Sequence, residues 1–227
     1  MADRTAEKRA AAARALTEVT PGMVLGLGSG TTAEIFVELL AEQVAKGLDV
    51  KGIPTSERTR MLAVRRGIPL TGFDRHPTLD LAVDGADQVE RGTLALVKGL
   101  GGALMREKIV AASAKRMIVI VDAGKIVPRL GGQTPVPVEI ASFGAPATLA
   151  RLEQAGYSPT LRYGQGTPFV TDGGNLIADC AVAAIPDAAR LALELRGIVG
   201  VIETGLFVGM ASKVIAGGPH GVEVLER

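Results

Sequence analysis

Short apolar runs that stop at glycine and give way to helically spaced residues recur along this chain, and they narrow its possible folds sharply. The run GMVLGLG, residues 22–28, reads as a buried strand ending in glycine. Behind it, TTAEIFVELLAEQVAKG places Ile35, Phe36, Leu39, Leu40 and Val44 at helical intervals before Gly47, a helix-ending glycine. The same order returns in LDVKGIPT followed by SERTRMLAVRRG, and in LALVKG, GALMREKIVAASAK and RMIVIVDA. Strands that alternate with helices predict an α/β protein with a parallel sheet covered on both faces. An alanine-rich helix over 5–18 precedes the first strand.

The pattern changes near residues 128–138, where PRLGGQTPVPV concentrates Pro and Gly and marks a crossing to a second unit. Beyond it the chain predicts a helix over 145–155, strands near 160–163 and 168–179, and a helix over 186–196. That mixture is α+β. The tail TGLFVGMASKVIAGGPHGVEVLER is strand-like and returns to the edge of the first sheet. The expected organisation is a larger α/β domain of residues 1–130 plus 204–227, carrying a smaller α+β domain of residues 131–203.

Charge excludes several roles. Lys plus Arg number 25 and Asp plus Glu 24, so a net charge of +1 leaves no footprint for nucleic acid or an anionic membrane. The opening MADRTAEKRAAAARAL lacks the apolar core of a signal peptide, and no 18-residue apolar run follows, so a cytoplasmic protein is expected. Cys180 stands alone, which excludes an internal disulfide, and no C-x-x-C or histidine cluster offers a metal site. With only His76 and His220, histidine-based catalysis is not expected.

Four strand ends carry the chemistry. In GLGSGTTAE, residues 26–34, a glycine turn opens a helix, and its backbone N–H groups with the helix's positive end suit a phosphate. Ser29, Gly30, Thr31 and Thr32 would hold it. The plainer reading is a capping box between Thr31 and Glu34. In LDLAVDGADQVE, Asp84 and Asp87 flank Gly85 and Ala86 at a strand's C-terminal end, where parallel sheets place ligands. The plainer reading there is an Asp-Gly turn bonded to its own backbone. In LVKGLGGALMREKIV, Lys98 precedes Gly99, Leu100 and Gly101, and Glu107 lies one helical turn beyond. Flanked by Arg106 and Lys108, Glu107 also reads as a paired surface acid. In IVIVDAGKIV, Asp122 and Lys125 follow a buried strand, and Lys125 can bring a second cation to the crevice. Lys8, in the first helix, is a weaker candidate for the same role, its plainer reading being a solvated helix face.

Taken together, GLGSGTTA, TSERT, VDGADQVE, KGLGGALMREKI, VDAGKIV and PVPVEI stand in the order and spacing of type A ribose-5-phosphate isomerases. The chain resembles that family from about Lys8 through ETGLFVGMA, departing from its usual pattern at Gln88, Leu100 and Gly102. The resemblance implies a Rossmann-like parallel-sheet domain with a smaller α+β domain, assembled as a homodimer or homotetramer. It implies interconversion of ribose 5-phosphate and ribulose 5-phosphate through an enediolate, in the pentose phosphate pathway, with no metal or organic cofactor. It places substrate phosphate at Ser29 to Thr32, the sugar at Asp84 to Asp87 and Lys98 to Gly101, a further substrate contact at Lys125, and the proton acceptor at Glu107. On this reading Asp84 assists ring opening and Asp87 orients hydroxyls, or the two exchange these roles, and Lys98 stabilises the enediolate with the glycine-loop amides.

Two other classes compete. A sugar-phosphate-sensing module explains the phosphate loop without explaining Lys98 and Glu107. A nicotinamide-dependent oxidoreductase is opposed by Thr31, which fills the last glycine position of the dinucleotide fingerprint.

Overall fold

The computed structural model describes residues 4–226. Its largest sheet has six strands, in the order 221–226, 213–218, 117–122, 81–84, 24–27 and 51–54. All neighbours pair in parallel except the terminal hairpin, where Lys213–Gly218 and Gly221–Glu226 run antiparallel. The tail therefore returns to the sheet's edge, as its apolar runs predict.

Side chains alternate across this sheet because successive residues of a strand point to opposite faces. Leu25, Leu27, Leu81, Val83, Ile118, Ile120 and Ile215 face one core. That core is closed by helix α1 (Thr5–Leu16) through Ala11, Ala12 and Ala15, by α2 (Thr31–Val44) through Phe36, Val37 and Leu40, and by α3 (Glu57–Arg65) through Ala63. The small residues of α1 let it lie close. Val24, Ala82, Val119, Val121, Val214 and Ala216 face the other core, against Val110 and Ala111 of α4 (Leu104–Ser113) and against Phe207. Fully burying a side chain such as Phe36 or Phe207 contributes about 1.5–3 kcal/mol.

A second sheet is antiparallel, in the order 201–204, 136–140, 176–180 and 159–161, with a core shared by α5 (Ala145–Gln154) and α6 (Ala188–Arg196). Asp187 caps α6 by accepting the Arg190 N–H at 2.9 Å.

Two strands depart from expectation. Leu96–Val97 does not join the parallel sheet; it pairs antiparallel with Gln88–Glu90 and Leu206–Phe207 in a separate four-stranded sheet. A parallel crossover needs roughly a dozen residues or more, and only Arg91–Ala95 separate these strands, so the chain doubles back as a hairpin. The run 168–179 is likewise not one strand. Asp172, Gly173 and Gly174 turn the chain, Gly174 at φ +80°, between the strands Thr167–Pro168 and Leu176–Cys180.

Gln88 has a structural use of its own. Its amide donates from Nε2 to the Gly131 carbonyl at 3.0 Å and accepts the Gly131 N–H at 2.8 Å, clasping the chain where it crosses to the second sheet. Glutamate can accept but, when ionised, cannot donate. Gln88→Glu is expected to cost about 1–3 kcal/mol, read as a lower urea midpoint at pH 8; an unchanged midpoint would show that the clasp contributes nothing.

Candidate active site

Asp84 ends its strand at the mouth of the parallel sheet and is 2% exposed. Its Oδ1 accepts the N–H groups of Ser29 at 3.0 Å and Gly85 at 2.7 Å, so the Asp-Gly turn bond exists, but alongside a long-range one. The first glycine loop reaches this carboxylate only because residue 28 lacks a side chain: a Cβ on Gly28 would lie 2.2 Å from Asp84 Oδ1.

Lys98 extends from the short strand Leu96–Val97 into the same place. Its backbone N–H is held by Gly205 O at 2.8 Å, and its Nζ donates to Gly85 O at 2.7 Å. The ammonium then lies 3.1 Å from Asp84 Oδ2 and 3.2 Å from Glu107 Oε2, with all three side chains no more than 5% exposed. Phe207 lies beneath, its ring centre 5.4 Å from Lys98 Nζ and 4.8 Å from Lys108 Nζ.

Glu107 is on the first turn of α4 and is not a surface acid. Its neighbours turn elsewhere: Arg106 pairs with Glu57 and Asp172, while Lys108 bonds Glu203 and the carbonyls of Thr204 and Leu206. Lys108 thus anchors α4 on one side and leaves Glu107 facing inward on the other.

Burial governs the electrostatics. It pushes the Glu107 carboxyl up to about 8, against the pull of Lys98 and with the help of Asp84. It raises Asp84 as well, beyond what Lys98 and the two N–H groups take back. Burial opposes the Lys98 ammonium too, yet Asp84 and Glu107 outweigh it and hold Lys98 protonated. One cation between two proton-hungry carboxylates is a site that can accept and return a proton near neutral pH.

Lys98 and Glu107 line a cavity of about 360 Å³. On the same cavity, α2 opens with Gly30 at its N-cap and no side-chain cap, so the capping box of Thr31 and Glu34 is not formed. Thr31 Oγ1 instead accepts from Lys8 Nζ at 3.0 Å, and Glu34 pairs with Arg58. Ser29 Oγ lies 2.7 Å from Thr55 Oγ1 and 2.8 Å from Ser56 Oγ. Lys8, Arg58 and Lys125 line the same cavity, and these cations and hydroxyls suit it to an anion.

The structure brings Ser29, Gly30, Thr31, Thr32, Gly85, Ala86, Asp87, Lys98, Gly99, Gly101, Glu107 and Lys125 onto this cavity, with Asp84 directly beneath. Leu100 is different. Its side chain is exposed and its N–H donates to Asp87 Oδ2 at 2.9 Å, so it braces Asp87 and does not line the cavity. Asp122 bonds Arg4 instead of facing the cavity. Lys8 is half-buried and lines the cavity. Arg58, Ser56, Phe169 and Asp172 also line the cavity without having been singled out from sequence. The TSERT motif marks the first two, whereas Phe169 and Asp172 arrive by tertiary packing from the second sheet's side. Among the described residues, no group of three or more His, Cys, Asp or Glu is placed to hold a metal ion.

The family model described as ribose 5-phosphate isomerase A (phosphoriboisomerase A) matches residues 51–221. The ribose-5-phosphate isomerase A of Rhodopseudomonas palustris (strain BisB18) is 53% identical, over 97% of each chain. That of Synechococcus sp. (strain JA-3-3Ab) is 49% identical over 100% of both. Among solved structures, ribose 5-phosphate isomerase A from Methanocaldococcus jannaschii is 38% identical with a TM-score of 0.94, covering 99% of this chain and all of that one. A D-ribose-5-phosphate isomerase in complex with phospho-erythronic acid is 39% identical, also with a TM-score of 0.94, over 98% of each chain.

Proposed function

This chain belongs to the ribose 5-phosphate isomerase A family, and from that premise we propose which residues carry its interconversion of D-ribose 5-phosphate and D-ribulose 5-phosphate. The phosphate sits against Ser29 to Thr32, with Lys8, Arg58 and Lys125 supplying positive charge. Asp84 assists opening of the sugar ring and Asp87 orients hydroxyls. Glu107 takes the proton from C2 while the electron pair moves onto the C1 carbonyl oxygen, giving an enediolate. A proton passes between the two oxygens, and Glu107 returns the carbon proton to C1. Lys98 and the glycine-loop amides stabilise the enediolate charge, and remote binding of the phosphate positions the reacting carbons.

The observation that carries this reading is the buried contact of Lys98 with both Asp84 and Glu107 on a cavity that Lys8, Arg58 and Lys125 also line. A sensor of sugar phosphates has no use for so costly a cluster. Chelator-treated protein given ribose 5-phosphate in deuterated water is expected to form ribulose 5-phosphate with partial deuterium at C1, followed by NMR. Binding without conversion would favour the sensor.

The finer reading is a cytoplasmic homodimer or homotetramer that needs no organic cofactor. Family resemblance supports the assembly, and among the described residues no helix is long and apolar enough to cross a membrane. We also infer the two-domain division of residues 1–130 plus 204–227 against 131–203, supported by the core that α5 and α6 build with the antiparallel sheet, to which Ala95, Val97, Leu130 and Leu206 of the larger unit also contribute.

A further inference from the structure

Arg162 lies outside the cavity, beside the strand Pro159–Leu161, and its side chain is 13% exposed. Asp179 grips it with both oxygens: Nε donates to Oδ2 at 2.8 Å and Nη2 donates to Oδ1. The remaining nitrogen, Nη1, donates to the carbonyls of Gly99 at 2.8 Å and Leu100 at 3.1 Å. Those two carbonyls belong to the loop between Lys98 and α4.

A trans peptide points its C=O and N–H in opposite directions, and among the described residues there is no cis peptide. Arg162 therefore holds two successive peptides by their outer ends. The inner end of the first is the Leu100 N–H, fixed on Asp87 Oδ2 at 2.9 Å. The inner end of the second is the N–H of Gly101, a residue on the cavity wall. Phe169 closes the same loop from above. Its ring lies 6.0 Å from the Arg162 guanidinium carbon, and a Cβ on Gly102 would come within 2.3 Å of it.

We propose that Arg162, clamped by Asp179, is a positioning residue for the isomerisation: it presents the Gly101 N–H to the enediolate and locks Asp87 through Leu100. This inference rests on the proposed role of the glycine loop. Arginine suits the task because its planar fork serves a carboxylate and two carbonyls at once, which a lysine ammonium cannot do with fixed geometry. A preorganised donor stabilises charge that develops only in the transition state, so kcat should respond more than KM.

The test measures kcat and KM for ribose 5-phosphate in Arg162→Gln, Arg162→Lys and Asp179→Asn, with inhibition by phospho-erythronic acid and by inorganic phosphate. Arg162→Gln is expected to lower kcat by about 10–100-fold with little change in KM. Phospho-erythronic acid, whose carboxylate puts negative charge at the sugar end, should weaken by a similar factor, and inorganic phosphate should not. Arg162→Lys should recover part of kcat, and Asp179→Asn should show a smaller loss of the same kind. A kcat within about twofold of wild type in Arg162→Gln would overturn the proposal, as would equal loss of kcat and phosphate affinity, which marks a purely structural role. Should Arg162→Gln fail to fold, unchanged kcat in both remaining variants would overturn it. Failure of wild type to isomerise would instead defeat the functional reading itself.

Discussion

Glu107→Gln is expected to lower kcat by about 10³–10⁴-fold while leaving ribose 5-phosphate binding nearly unchanged, because the substitution keeps the side chain's size and removes only its capacity to accept a proton. The cations Lys8, Arg58 and Lys125 on the cavity and the Lys98–Asp84 contact do not depend on that carboxylate. The same group sets a pH signature in the wild-type enzyme. With the carboxyl raised to about 8, kcat/KM should climb as pH rises through that value, since free enzyme must present Glu107 ionised to act as a base. Steady-state kinetics from pH 6 to 9, with isothermal titration of the variant, check both halves. Near-normal turnover in Glu107→Gln, or a wild-type profile that is flat across that range, would remove Glu107 as the base.

Lys98→Met should damage both rate and stability. In the proposed mechanism, losing the ammonium takes away the positive field at the enediolate oxygen, and removing a preorganised donor of this kind costs about 10²–10³ in kcat. It also leaves Asp84 and Glu107 buried without their cation, and breaking a buried pair from one side costs about 3–5 kcal/mol. The sign with pH follows from which state holds the proton. Both carboxyls are already raised in the folded protein, and without Lys98 they rise further. Between the unfolded carboxylate range and the raised folded values, the folded state binds protons that the unfolded state has released, so stability falls as pH rises. Urea denaturation should therefore find Lys98→Met closest to wild type near pH 5 and furthest from it near pH 8. An equal deficit at both values would mean that the loss is one of packing.

The parallel sheet and its two covering layers were legible because period-two burial and helical spacing are local signals: Leu25 and Leu27 against Val24, and Phe36, Val37 and Leu40 on one helix face. The glycine loop, Asp84 to Asp87, Lys98 and Glu107 were legible as strand ends and as family motifs. Their meeting was not, because the contact of Lys98 with Glu107 depends on how α4 is seated by Lys108 on the carbonyls of Thr204 and Leu206, about a hundred residues away. Leu96–Val97 was misassigned to the parallel sheet because strand character does not reveal pairing direction. Phe169 and Asp172 carried no signal at all; nothing in SPTLRYGQGTPFVTDGG places a ring on Gly102 or a carboxylate on the N–H of Glu57.

The bond from Asp172 to the first turn of α3, with Arg106 joined to the same loop, sets a limit on how such a chain can change over generations. The reaction vessel is a seam: its floor is inherited with the parallel sheet, and part of its wall with the antiparallel one. Neither piece can be traded for a foreign counterpart, or drift in shape alone, without the other accommodating it. Recombination that swaps whole modules should spare this lineage's scaffold far less often than substitutions scattered within either half.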